Sequence, residues 1–289
     1  MRVFFFGLGY SSLASVEFMR RRGGFASISG TVRGPEKAQV LSIGGTNALQ
    51  FSGAEPGPEV GPALSTASHV VVSIAPDREG DVALRHHRRD LDAMPDLQWL
   101  CYYSTVGVYG DFGGAWIDEG AALDPRNDRS RHRVAAEREW IDYARQRGVP
   151  LTILRLAGIY GPGRSSFDKL ADGTARRVVK QGQVFNRIHA ADIGRITALA
   201  AERRLDGIFN LADDEPGPPQ DLITYAAGKM GIAPPPEVNF EEAEMTPMAR
   251  SFYADNKRVS NRAIKDALGI ELLYPDYRSG LDAIWEARG

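Results

Sequence analysis

Val3-Phe4-Phe5-Phe6-Gly7-Leu8-Gly9-Tyr10-Ser11-Ser12 decides how the chain is read. Four apolar residues form a short run at the N-terminus, Gly7-Leu8-Gly9 tolerates unusual φ, and residues 11–22 carry Leu13, Val16 and Met19 at helical spacing. The order is strand, tight turn, helix. In that setting the glycines let the backbone approach a pyrophosphate, which sits on the free N–H groups and positive dipole end of the helix. Ser12 occupies the third glycine's place, so the fingerprint is G-x-G-x-x-S, and Gly7, Leu8, Gly9, Tyr10, Ser11 and Ser12 are expected to cradle a dinucleotide.

Working outward, Ser27 to Val32 reads as a second strand, followed by Arg33-Gly34. A carboxylate at this place would bond a ribose 2′-hydroxyl, and none occurs before Glu36. The Arg33 guanidinium can instead pair bidentately with a 2′-phosphate, so NADP is the expected cofactor and NAD the alternative. Further strand-like runs at 47–51, 69–74, 99–104 and 151–156 alternate with helical segments, which argues for a parallel sheet with crossover helices. Ser73-Ile74-Ala75-Pro76 ends the fourth strand, where ligands lie beyond the carboxyl edge, so Ser73, Ile74 and Ala75 should line the cofactor.

Composition agrees with a globular chain. There are 289 residues, 43% of them hydrophobic, and 35 basic against 37 acidic residues give a net charge of −2. That balance offers no electrostatic attraction to nucleic acid or an anionic membrane, and no apolar run reaches membrane-spanning length, so a cytoplasmic protein without either partner is expected. The basic clusters at 20–22 and 85–89 read as exposed helix faces. Adjacent His86 and His87 point about 100° apart on a helix and read as an exposed pair, so no metal site is expected. The single cysteine, Cys101, lies in an apolar strand as an inert core residue. Residues 53–62, rich in glycine and proline, read as a surface loop.

Tyr103-Ser104-Thr105-Val106-Gly107-Val108-Tyr109-Gly110 directly follows the fifth strand. It resembles the V-Y-G motif of the extended short-chain dehydrogenase/reductase superfamily, which includes the NAD-dependent epimerases and dehydratases. Further matches run in order: Asp118-Glu119, Arg155-Leu156-Ala157-Gly158-Ile159-Tyr160-Gly161-Pro162-Gly163, Arg187-Ile188-His189-Ala190-Ala191-Asp192, and Phe209-Asn210-Leu211-Ala212-Asp213. Together they cover residues 3 to about 215.

The resemblance implies an α/β, Rossmann-type, doubly wound parallel sheet with a smaller C-terminal α/β lobe. It places the dinucleotide-binding domain at 1–160, with 187–212 returning to it, and the lobe at 161–186 and 213–289. It also implies that Thr105 polarises a substrate oxygen, and that Ser104, Ala157, Gly158 and Ile159 face the cofactor. The superfamily's Tyr-x-x-x-Lys pair should open the helix after the fifth strand, eight residues before a glutamate. Counting back from Glu137 puts Arg129 in the tyrosine's place and Arg133 in the lysine's. A guanidinium has no accessible proton equilibrium near neutrality, so Arg129 cannot shuttle a proton.

In this respect the chain resembles atypical branches with a damaged pair more than the sugar-nucleotide epimerases. Two readings stay open. In the first, Arg129 and Arg133 bind an anionic small-molecule substrate or the nicotinamide ribose, while His132, Tyr109 or Tyr160 supplies a proton. In the second, the protein binds NADP(H) without catalysis, as a sensor or regulator. Substrate contacts are expected from Arg164 and Ser165, from Arg187 and His189, and from Arg250 and Tyr253 in the aromatic and basic segment 248–258; the other reading of that segment is a lobe-closing loop whose Phe252 and Tyr253 pack inward. Relatives of this kind often pair through the helices after the fourth and fifth strands, which leaves a homodimer as one expectation.

Overall fold

The computed structural model describes residues 1–288. In chain order the elements are β1 (Arg2–Phe6), α1 (Tyr10–Arg22), β2 (Ser27–Val32), α2 (Pro35–Ile43), β3 (Asn47–Gln50), α3 (Val60–Ser65), β4 (His69–Val72), α4 (Val82–Asp92), β5 (Trp99–Thr105), β6 (Trp116–Ile117) and α5 (Asp128–Arg147). There follow β7 (Leu151–Leu156), β8 (Gly158–Tyr160), α6 (Ser166–Ala171), β9 (Arg177–Val179), β10 (Arg187–His189), α7 (Ala190–Arg203), β11 (Gly207–Leu211), α8 (Pro219–Met230), β12 (Glu237–Asn239), α9 (Pro247–Ser251), β13 (Arg258–Val259), α10 (Arg262–Leu268) and α11 (Tyr277–Glu286).

Seven strands form one parallel sheet in the order β11-β7-β5-β4-β1-β2-β3. The reversal of strand order lies between β1 and β4, where β1 pairs with β2 on one side and β4 on the other. Open α/β sheets bind ligands at such a point, beyond the carboxyl ends of the strands. The inner strands are apolar throughout because helices cover both faces: all four residues of β4 and all six of β7 are buried.

Contacts divide the chain into two compact units. The first comprises Met1–Val108, Asp128–Arg155 and Ile193–Phe209. Its core centres on Phe4, Phe6, Trp140 and Tyr143, with Phe4 and Phe6 edge to face at 5.0 Å. Cys101 is buried within β5, where burial raises its thiol pKa and keeps it inert. His87 is fully buried and accepts the Gly57 amide at 3.1 Å while its Nδ1 meets Asp90 at 2.8 Å. This corrects the expected exposed histidine pair. The same bond pins part of the 53–62 stretch to α4, and fully buried Val60 opens α3 there, so that loop is anchored rather than merely superficial.

The second unit comprises Tyr109–Asn127, Leu156–Asp192 and Asn210–Gly289. Its parallel two-stranded ladders pair β8 with β10, β9 with β12 and β6 with β13. One core cluster gathers Tyr160, Phe167, Tyr277, Leu281 and Ile284, and another Val178, Ala243 and Tyr253. Among the described residues, no helix is long and apolar enough to cross a membrane.

Candidate functional site

The N-terminal turn is built by hydrogen bonds that the glycines alone do not explain. Gly7 lies at φ +97, its amide donates to Thr31 Oγ1 at 2.9 Å, and the Leu8 amide donates to the Thr31 carbonyl at 2.7 Å. Ser12 is buried; its hydroxyl donates to Ser73 Oγ at 2.8 Å, and Ser73 Oγ donates to the Gly7 carbonyl at 2.7 Å. The serine in the third glycine's place thus ties the start of α1, the turn and the end of β4 together. Gly9 caps α1 at φ −86, and a Cβ built on it would meet nothing within 4 Å. A side chain there would enter open space, which is the cradle a pyrophosphate requires.

That space is a cavity of about 730 Å³ within the first unit, lined by Gly7, Leu8, Gly9, Arg33, Ser73, Ile74 and Ala75. Seven predicted cofactor contacts therefore converge. Thr31, Lys37, Phe51, Ser52, Gly53 and Asp77 complete much of the wall. Lys37 went unnoticed in the sequence, although a second cation four residues after Arg33 was a usable signal. Asp77 is held by Arg85 through two contacts of 2.7 Å, which keep its carboxyl well below the usual carboxylate range. Tyr10 and Ser11 open α1, the Ser11 carbonyl accepting from Ser15 Oγ at 3.2 Å.

At the end of β5, Ser104 donates to Glu137 Oε1 at 2.5 Å, and Glu137 forms a buried ion pair with Arg155 at 2.7 Å. Ser104 therefore belongs to an internal brace. Thr105 Oγ1 accepts the Gly107 amide at 3.1 Å, which leaves the hydroxyl proton to donate elsewhere. Arg133 Nη1 donates to the Tyr103 carbonyl at 2.6 Å and to Tyr102 Oη at 3.1 Å, its guanidinium lying 5.6 Å from the Tyr102 ring centre. Arg129 is exposed near the start of α5. His132 is half-buried and lies near Asp77.

In the second unit, several motif residues meet at Asn210. Tyr109 donates to Asn210 Oδ1 at 2.7 Å, Glu119 accepts the Asn210 amide at 2.7 Å, and Asn210 Nδ2 reaches the Ser260 carbonyl at 3.3 Å. The Tyr109 phenol is thus a buried strut. Tyr160 Oη reaches the Asp276 carbonyl at 3.4 Å, and burial raises its pKa further. Ala157 donates to Leu211 and Gly158 to Asn186, while Ile159 pairs with Ile188 across the β8–β10 ladder.

Of the substrate-side residues, Arg164 stands in an exposed turn closed by its amide to the Gly161 carbonyl at 3.0 Å. Ser165 directs its amide and hydroxyl to Asp168 at 2.8 and 2.7 Å. Arg187 is buried, with donors on the Phe185, Gly217 and Pro218 carbonyls at 2.9 to 3.1 Å. Burial pushes His189 down to about 4, so its ring is neutral; Nδ1 accepts the Ala191 amide at 3.1 Å. Arg250 donates to the Ala243 carbonyl at 3.0 Å and covers the Phe240 ring at 4.7 Å. Tyr253 packs between Phe185 and Phe240, each 5.1 Å away, whereas Phe252 is exposed, so of the lobe-closing reading only Tyr253 packs inward.

The profile of the NAD dependent epimerase/dehydratase family matches residues 67–212, half of the chain. Protein YeeZ of Escherichia coli (strain K12) is 29% identical over 181 residues, which are 61% of this chain and 59% of that protein's length. A functionally unknown conserved protein from Silicibacter pomeroyi DSS superposes with a TM-score of 0.86 at 41% identity, covering 99% of both chains. UDP-glucuronic acid 4-epimerase from Bacillus cereus, solved in complex with NAD, shares the fold at TM-score 0.77 and 15% identity, with 99% of this chain and 96% of that one aligned.

Proposed function

Since this chain belongs to the NAD dependent epimerase/dehydratase family, we propose that it is an NADP(H)-binding oxidoreductase or epimerase-like enzyme that acts on an anionic small molecule without a tyrosine–lysine relay. NAD(H) is the alternative cofactor. The observation that carries this reading is the convergence of Gly7, Leu8, Gly9, Arg33, Ser73, Ile74 and Ala75 on one cavity beside the strand-order reversal. Gly7 to Gly9 would pass beneath the pyrophosphate, Arg33 would take the 2′-phosphate, and Ser73 to Ala75 would form the wall between them. A nicotinamide dinucleotide supplies a hydride acceptor or donor at its ring carbon.

The chain's own residues do the remaining work. Thr105 keeps a hydroxyl proton to donate to a substrate oxygen. Arg129 and Arg133 contribute positive charge and N–H donors. His132, an imidazole in the same turn of α5, would supply the proton.

A second reading is favoured by a specific observation: Arg133 is tied to the Tyr103 carbonyl and Tyr102, so the lysine's place is occupied by a structural bond. On that reading the protein is a non-catalytic NADP(H) sensor or regulator. The deciding experiment offers purified protein NADPH or NADP with a panel of carboxylate- or phosphate-bearing carbonyls and alcohols, and separately offers nucleotide sugars. Turnover within the first panel and none with nucleotide sugars is expected. Epimerisation or dehydration of a nucleotide sugar would contradict the proposal, and tight NADPH binding without any turnover would favour the sensor.

A further inference from the structure

Two cations face the same cavity. Arg33 and Lys37 both line it, both are exposed, and neither side chain makes a hydrogen bond or ion pair among the described residues. Their state contrasts with that of other basic groups in the same unit: Arg2 is paired with Asp96, Arg22 with Glu202 and Arg85 with Asp77. The carboxylate on the cavity wall, Asp77, has its charge answered by Arg85. Two cations without an ion-pair partner among the described residues therefore remain on this cavity next to the end of β2, with the Glu36 carboxylate turned back beside Gly34.

We infer that Lys37 is a specificity-determining residue that acts with Arg33 as a two-cation clamp for a phosphate monoester on the adenosine ribose. This inference rests on the dinucleotide reading of the cavity. The chemistry divides the work. A 2′-phosphate carries close to two negative charges and three acceptor oxygens at neutral pH, more than one planar guanidinium satisfies. Arg33 offers a bidentate fork, and Lys37 offers a compact ammonium on a flexible stem that can take the remaining oxygen. A ribose with a free 2′-hydroxyl gives neither cation a counter-charge, so Lys37 should contribute to NADP affinity and not to NAD affinity.

Calorimetry with NADP, NAD, 2′,5′-ADP and 5′-ADP tests this in the unaltered protein and in Lys37→Ala, Lys37→Glu and Lys37→Arg. Lys37→Ala should weaken NADP and 2′,5′-ADP by about three- to tenfold, leaving NAD and 5′-ADP unchanged. Lys37→Glu should weaken them more, and Lys37→Arg should retain most of the affinity. Added salt should erode the preference for NADP, and less steeply in Lys37→Ala. An unchanged NADP affinity in Lys37→Ala, or equal losses for NADP and NAD, would overturn the clamp while leaving a dinucleotide site. Failure of the unaltered protein to bind either dinucleotide would overturn both the clamp and the reading beneath it.

Discussion

Asp213 shows how much a single position conceals. It is 1% exposed, neither carboxyl oxygen has a hydrogen-bond partner of good geometry, and burial lifts its pKa from 3.8 to about 8 against the partial opposition of Arg187 and the Glu215 amide. The folded chain therefore keeps a proton that the unfolded chain releases above about pH 4. Unfolding gives up that proton across the window between the two values, so this residue makes stability fall as pH rises from about 4 to 8 and adds no further slope above. Asp213→Asn removes the titration. Denaturant unfolding at pH 5 and pH 8 should show a smaller loss across that interval in the variant, and identical slopes would contradict the assignment. In the sequence Asp213 was legible only as part of a motif, because burial without partners is a property of the packed unit. Arg187 and Arg250 read as substrate cations for the same reason: their charge is written in the sequence, while the carbonyls that absorb their donors are not.

Helices and strands were more legible. Strand runs and the N-terminal turn follow from periodicity and from glycine placement, and the expected strands fall within a residue or two of β1 to β5 and β7. What periodicity misses is how closely elements approach. A Cβ on Gly194 in α7 would meet the Ala14 carbonyl oxygen of α1 at 2.5 Å, so the two helices pack backbone to backbone at that point. Gly228 in α8 is the counter-example, with nothing within 4 Å of its Cβ. Gly194→Ala should therefore cost about 1–3 kcal/mol by overpacking, whereas Gly228→Ala should stabilise by about 0.5–1 kcal/mol through helix propensity. Equal effects of the two substitutions in chemical denaturation would contradict the packing argument. Likewise the buried His87 was illegible from its helix alone, since its partner is the Gly57 amide of a loop 30 residues earlier.

At the level of the whole molecule, six of the seven strands of the sheet and the glycine turn are legible in the sequence, whereas β11 is visible there only as part of a motif. The chemistry is less legible, since Arg129 and Arg133 stand where the resemblance leads one to expect the tyrosine–lysine pair by which a reaction would ordinarily be read. The central claim is that the first unit binds NADP through the turn at Gly7 to Gly9. It is tested most directly by calorimetric titration of NADP and NAD into the unaltered protein, Arg33→Ala and Gly9→Val, with circular dichroism of each. The unaltered protein should prefer NADP, Arg33→Ala should lower NADP affinity on the order of tenfold and spare NAD. Gly9→Val should abolish binding of both with an unchanged spectrum, because a Cβ at Gly9 meets no protein atom within 4 Å and the side chain would occupy the space left for pyrophosphate. Retained binding by a normally folded Gly9→Val protein would contradict the claim.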